Sequence, residues 1–253
     1  SKGVPRKNLR EIRGKSLLQI SIDLGLGCRH IDQVLVSTDS PDIAKVAAAR
    51  GAKVPFLRPG EIAEDDSPEW LAWQHLAEHL LDEGAAESDL LVSLPTTAPL
   101  RQVEDVEQAI RKYRGGGFDA VLAITESARN PWFNVVMRDE TSAVTVVLGS
   151  DNAVVSRRQD AVGVFDITTV VYVASLGYVR HSSGLFAGAV GSVIVPRERA
   201  IEDSDFACLL EVVASPRPTE ATAGHVLESP LDEEAFYAKI NRKQGLFAEL
   251  RLN

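Results

Sequence analysis

An α/β fold, with a mostly parallel sheet covered by helices on both faces, is predicted by three features of this sequence. Short β-branched runs alternate with helical stretches of roughly ten to fifteen residues through the first half, the rhythm of βαβ units. Those runs are continuously apolar, as in strands buried on both faces. Residues that favour helix starts precede the periodic stretches, and glycines follow them.

Each element follows in order. Ser16–Arg29 (SLLQISIDLGLGCR) has apolar spacing compatible with a helix, and His30–Asp39 ends in the buried-strand run VLVS. Pro41–Gly51 starts with proline at a first-turn position and stops at glycine, so it reads as a helix. Lys53–Leu57 reads as a short strand. Ser67–Leu81 reads as an amphipathic helix with Ser67 as its cap and Pro68 next. Asp89–Leu94 is an expected strand, Gln102–Arg114 a helix closed by Gly115–Gly117, and Phe118–Ile124 another strand. After Asn130 the rhythm changes. Pro131–Met137, Ala143–Leu148 and Thr168–Ala174 read as strands joined by polar turns, an antiparallel excursion from the sheet. Val190–Val195 reads as a strand, Asp205–Ala214 as a helix and Ser215–Gly224 as a linker. A terminal helix is expected within Asp232–Leu250, where Phe236, Ile240 and Phe247 recur at helical spacing. The expected division is therefore a main domain over 1–214, carrying the excursion at 131–173, followed by 215–253.

Bulk properties narrow the function. Hydrophobic residues at 45% and charged residues at 25% match a soluble globular protein. No apolar run approaches the roughly 20 residues that span a bilayer, so no membrane partner is expected. The opening is basic and lacks an apolar core, unlike a signal peptide. Cys28 and Cys208 lack metal-ligand spacing and read as reduced thiols of a cytoplasmic protein. A net charge of −9, from 27 basic and 36 acidic residues, argues against non-specific nucleic-acid binding. An acidic protein that takes an anionic ligand needs locally concentrated cations or a divalent metal.

Ligands of parallel α/β sheets sit outside the carboxyl ends of the strands. There this sequence has Thr38 and Asp39, then Pro95, Thr96, Thr97, Ala98, Pro99, Leu100 and Arg101, then Thr125 and Glu126. Polar and cationic groups thus gather along one edge, as a nucleotide cleft requires. The opening SKGVPRKN adds Lys2 as a point charge, Gly3 as a place for backbone to approach phosphate, and Asn8 as an amide for a base, a sugar or the loop itself.

SKGVPRKNL, VLVSTDSPDIAKVA, FLRPGEIAEDDS, LPTTAPLR and SRRQD, in that order from Ser1 to about Glu211, resemble the acylneuraminate cytidylyltransferases. These are the CMP-sialic acid and CMP-nonulosonate synthetases. The resemblance implies a Rossmann-like nucleotidyltransferase fold and a reaction of CTP with a 2-keto-3-deoxy sugar acid, releasing pyrophosphate. A CMP-3-deoxy-manno-octulosonate synthetase, or an inactive nucleotide-binding homologue, is the alternative. By position, Ser1 and Lys2 match the triphosphate loop, Lys2 and Arg101 are the catalytic candidates, and Asn8, Arg58 and Ser67 border the nucleotide. Arg101 could instead form a structural salt bridge. Residues 131–173 match a dimerisation element, so a homodimer or higher homo-oligomer is implied. Arg157, Arg158 and Gln159 lie in its exchanged segment. Arg158, Gln159, Thr168 and Tyr172, with Leu185 and Phe186 as an apolar wall, match the sugar pocket.

Three departures from the family pattern bear on these assignments. Family members carry a strand and a glycine-rich turn before the Ser-Lys-Gly, so the resemblance implies such a strand ahead of Ser1. Pro95 stands where a sugar-contacting glutamine is common, and Thr168–Thr169 where Asn-Gly is common. Legionaminate or another nonulosonate is therefore as plausible a substrate as N-acetylneuraminate. The acidic motif RAIEDSDF is short, offering Glu202, Asp203 and Asp205 as Mg²⁺ ligands, of which Asp203 and Asp205 are preferred; an acidic helix cap is the other reading.

Overall fold

The computed structural model describes residues 7–12, 14–64, 67–148 and 162–201. Ser1, Lys2, Arg157, Arg158, Gln159, Glu202, Asp203, Asp205, the helix expected at Asp205–Ala214 and everything from Ser215 onward lie outside the described residues. The chain divides into a unit Ser1–Ser204 and a unit Asp205–Asn253, and all described residues belong to the first.

A small hairpin, β1 (Glu11–Ile12) and β2 (Lys15–Ser16), leads into α1 (Leu17–Gly27). Ser16 starts that helix through a capping box: its Oγ accepts from Gln19 N–H at 3.2 Å, and its own N–H donates to Gln19 Oε1 at 2.9 Å. α2 (Pro41–Ala49) has Pro41 at its first turn and Ser40 as its cap. Leu18 and Ile22 of α1 pack with Ala47 and Ala52 against Val34, Val36 and Val54. The expected strands at 30–39 and 53–57 meet as parallel bridges, Leu35 to Lys53 and Thr38 to Leu57.

The main sheet has four strands in the order β3-β7-β4-β8: β3 (Leu90–Ser93), β7 (Phe165–Ser175), β4 (Ala120–Glu126) and β8 (Val190–Ile194). Alternating residues divide its faces. Val121, Val173 and Val195 pack with Val106, Ala109 and Ile110 of α4 (Val103–Arg114). Leu91, Ala120 and Ala174 pack with Trp73 and Ala77 of α3 (Glu69–Asp82) and Val179 of α5 (Leu176–His181). The three-layer α/β arrangement matches expectation.

The sheet direction does not. β7 has the antiparallel course expected for Thr168–Ala174, but it lies inside the main sheet between β3 and β4, and only β4 and β8 are parallel, so the described sheet is mixed rather than mostly parallel. A strand buried on both faces is continuously apolar wherever it sits, so the pattern carries no sign of which strands it pairs with. The excursion is also shorter than expected. β5 (Val136–Arg138) and β6 (Val144–Val146) form a separate two-stranded sheet, whereas the part of 131–173 from Phe165 onward belongs to the main sheet. Ser67 is likewise not the cap of α3. Pro68 holds the cap position, and Ser67 Oγ instead donates to Glu61 O at 3.4 Å.

β7 carries a wide bulge. Tyr172 pairs with Leu122 and Ile167 with Ile124, so Thr168, Thr169, Val170 and Val171 together face the single residue Ala123. Bulges of this kind re-aim side chains beside active sites. Here Thr168 Oγ1 caps the irregularity by donating to Ala123 O at 3.0 Å, while Thr169 turns toward the 95–101 turn.

Candidate functional site

A cavity of about 970 Å³ is lined on one side by His30–Asp39 and on the other by Ser88–Thr97. Its middle is apolar, with Leu18, Ile22, Leu35, Leu91, Trp73 and Ile110 in the wall. Its polar wall includes Lys7, Asn8, Thr38, Asp39, Arg58, Thr96, Thr97 and Thr169.

The rim after residues 34–38 is open. Arg58 N–H donates to Thr38 O at 2.8 Å, which seats the arginine beside the strand end. Its Nη2 stands 4.0 Å from Asp39 Oδ1, at the outer limit of an ion pair. The buried Arg58 Nε and the buried Ser37 Oγ have no hydrogen-bond partner among the described residues. Buried polar groups are normally satisfied, so this rim has donors to offer an anionic or polar ligand. Glu69, on the first turn of α3, and Trp73 complete this part of the wall.

The rim after β3 is closed upon itself. Thr96 Oγ1 donates to Asn8 Oδ1 at 2.9 Å, and Thr97 Oγ1 donates to Thr169 Oγ1 at 2.8 Å. Arg101, only 5% exposed, donates from Nε to Ala98 O at 2.9 Å and from Nη2 to Pro95 O. Loss of hydration lowers its pKa to about 9, offset by the negative field of Asp105 and then Tyr172. The guanidinium stays charged at neutral pH; its Nε and Nη2 bonds go to the carbonyls of its own turn, and its buried Nη1 has no hydrogen-bond partner among the described residues. Arg101 is thus a brace behind the cleft and is not among the residues of the cavity wall.

Of the residues singled out in the sequence, Asn8 and Arg58 line the cleft, as do Thr38, Asp39, Thr96 and Thr97. Ser67 does not. Thr168 is buried beneath the bulge, and its neighbour Thr169 takes the cleft position. Tyr172 packs on Trp73, with ring centroids 5.4 Å apart, inside the α3 side of the core. Leu185 packs against the same core, and its carbonyl accepts from Tyr178 Oη at 3.0 Å. Phe186 is 64% exposed and lies outside the cavity wall. Glu69 and Trp73 have no forecast as cleft residues. On a helix their spacing reads as a first-turn acid and an apolar stripe, and only the tertiary fold turns them to the cavity. Among the described residues, no group of three or more His, Cys, Asp or Glu is arranged to hold a metal ion.

A family model described as cytidylyltransferase matches residues 1–172. The post-translational flagellin modification protein B of Campylobacter coli is 24% identical over 202 residues, 80% of this chain and 84% of that protein. The pseudaminic acid cytidylyltransferase of Campylobacter jejuni serotype O:2 is 32% identical over 126 residues, 50% of this chain and 54% of that enzyme. Among solved structures, a CMP:2-keto-3-deoxy-manno-octonic acid synthetase complexed with CTP superposes with a TM-score of 0.58. It is 16% identical, with 85% of this chain and 92% of that one covered, and the likeness is one of fold.

Proposed function

The chain belongs to the cytidylyltransferase family, and from that premise we propose that it couples CTP to a nonulosonic acid, giving a CMP-sugar and pyrophosphate. The observation that carries this reading is that Asn8, Thr38, Arg58, Thr96, Thr97 and Thr169 share the wall of one cavity, with Thr96 bonded to Asn8 and Thr97 to Thr169. A relative of 32% identity is named for pseudaminic acid, a nonulosonic acid, which supports the sugar class.

In the reaction, the anomeric hydroxyl oxygen of the sugar acid forms a bond to the α-phosphorus as the bond from that phosphorus to its bridging oxygen breaks. Pyrophosphate leaves with the electron pair, and the hydroxyl proton passes to water. Such a transfer relies on positioning and charge neutralisation. Lys2, with Ser1, is assigned to the triphosphate, and Asn8 and Arg58 to the nucleotide. Thr169 replaces Thr168 as the threonine that meets the sugar, joined by Arg158 and Gln159. Mg²⁺ would shield the triphosphate, and the hard oxygens of Asp203 and Asp205 suit it.

The same reading includes a homodimer. Ile124 pairs with Ile167 on one side and Ile194 on the other, so the three form a row across the sheet. Ile167 is 53% exposed, Ile194 59% and nearby Phe165 44%, an apolar strip suited to a second copy. Ile167→Glu is expected to shift the mass seen by light scattering from dimer to monomer.

The reading is tested by pyrophosphate release from CTP and Mg²⁺ with N-acetylneuraminate, legionaminate, pseudaminate and 3-deoxy-manno-octulosonate. Release with a nine-carbon acid is expected. Release with the octulosonate alone would move the assignment to that substrate. Binding of CTP without release from any acid would make the chain a nucleotide binder.

A further inference from the structure

The 95–101 turn is held from behind by a residue that lies outside the cavity wall. Arg199 belongs to a short 3-10 turn that follows β8. Its Nη2 is 3.3 Å from Asp105 Oδ1, and its Nη1 donates to Gln102 Oε1 at 2.9 Å. Asp105 stands in the first turn of α4 and is 1% exposed. Its Oδ2 accepts from Gln102 N–H at 2.8 Å. Burial pushes the Asp105 carboxyl up, and the Gln102 N–H and then Arg199 oppose that shift. A carboxylate this enclosed is costly unless a cation stands beside it.

From Asp105 the chain of contacts runs forward. Arg101 shares its field and holds the carbonyls of Pro95 and Ala98. Between those carbonyls sit Thr96 and Thr97, whose hydroxyls engage Asn8 and Thr169 on the cleft wall. We propose that Arg199 is a positioning residue: by fixing Asp105 and Gln102 at the start of α4, it sets Arg101 and so the presentation of Thr96 and Thr97 in the cleft. This rests on the reading that the cleft takes CTP and a sugar acid. The charge of Arg199 serves Asp105 and its second nitrogen serves Gln102. The strut therefore fixes two adjacent points of one helix end, and rotation of that end is what the turn would feel.

The test uses the full chain and two readouts. The first is independent of activity: amide hydrogen exchange at 96–98 and 101 is expected to speed up about tenfold in Arg199→Met, with the amides of α3 unchanged. The second is kinetic: the KM for the accepted sugar acid rises about tenfold in Arg199→Met with kcat within about twofold, and Arg199→Lys recovers most of the loss. In a Thr97→Val background, Arg199→Met adds less than about twofold, because the hydroxyl it positions is already gone. A general loss of stability would instead lower the melting temperature while leaving KM unchanged, or would add fully in the Thr97→Val background. Either result overturns the proposal. If Arg199→Met does not fold, Gln102→Ala removes only the neutral end of the strut and gives the same split at about threefold. An unchanged KM and unchanged exchange in that variant overturn it equally. If the unsubstituted chain releases no pyrophosphate, the functional reading fails, and the exchange experiment alone still decides whether Arg199 holds the turn.

Discussion

The two rims of the cleft differ in how their polar groups are used. On the β3 rim, Arg101 is buried and bonded to the carbonyls of Pro95 and Ala98, and the Thr96 and Thr97 hydroxyls are already engaged. On the opposite rim, Arg58 Nε and Ser37 Oγ lack partners among the described residues, and Asp39 stands 4.0 Å from the guanidinium. Two arginines near one cleft thus have opposite tasks. A guanidinium that is buried outside the cavity wall shapes the site, whereas one in the wall is placed to meet a ligand. Place relative to the cavity wall, rather than residue type, separates brace from ligand contact.

The largest expected effect comes from breaking the braced rim. Arg101→Met leaves two carbonyls without their donor and Asp105 with one cation fewer. We expect about 3 kcal/mol of lost stability by urea denaturation, since each buried acceptor left without its donor costs about 1–3 kcal/mol. Arg58→Ala should sharpen the contrast from the other side. Its partly exposed, loose ion pair contributes little to the fold, so stability stays within about 0.5 kcal/mol. Its KM for CTP rises about tenfold, or about 1.4 kcal/mol of binding. If instead Arg101→Met left stability intact and Arg58→Ala unfolded the chain, the assignment of the two rims would be reversed.

Smaller effects test what stands behind the open rim. α1 supports residues 34–36 through Leu18 and Ile22, and its start depends on Ser16. Ser16→Ala is expected to cost about 1 kcal/mol in thermal or urea unfolding. Least of all, Asp23 of α1 accepts from Arg50 and Lys15, and the Arg50 hydrogen bonds lead in holding its pKa down at about 2. A carboxyl whose folded pKa is depressed contributes stability above its unfolded value near 4, lost as pH falls toward 2. Asp23→Asn should flatten the stability profile in that window and leave the profile at neutral pH little changed. An unchanged acid slope would show that the pair is too solvated to matter.

Much of the architecture is legible along the chain because local chemistry and tertiary fold agree there. Ser16, Pro41 and Gly115–Gly117 mark helix ends where the helices do start or stop, and LLVS and AVLAI become β3 and β4. What was not legible involves strand order and long-range contact. The antiparallel course of FDITTVVYVAS was expected, but nothing in it places the strand between β3 and β4, since that depends on long-range pairing. The bulge that buries Thr168 and presents Thr169 depends on register against Leu122 and Ile124, which no local pattern encodes. Arg101 followed the same logic. A basic residue after a strand is equally suited to a phosphate or to a carbonyl cage, and only Asp105 and Arg199, far apart in sequence, decide for the cage. Thr96 and Thr97 were legible because they follow the carboxyl end of β3, whereas Asn8 was read from the opening segment and Arg58 from the family resemblance.

The account stands or falls on one assay: pyrophosphate release from CTP in the presence of Mg²⁺ and a nine-carbon keto-sugar acid, followed by detection of the CMP-sugar. It predicts release with at least one of pseudaminate, legionaminate or N-acetylneuraminate, and an Arg58→Ala variant with raised KM for CTP at similar stability. Tight CTP binding with no CMP-sugar formed from any of the three would contradict it.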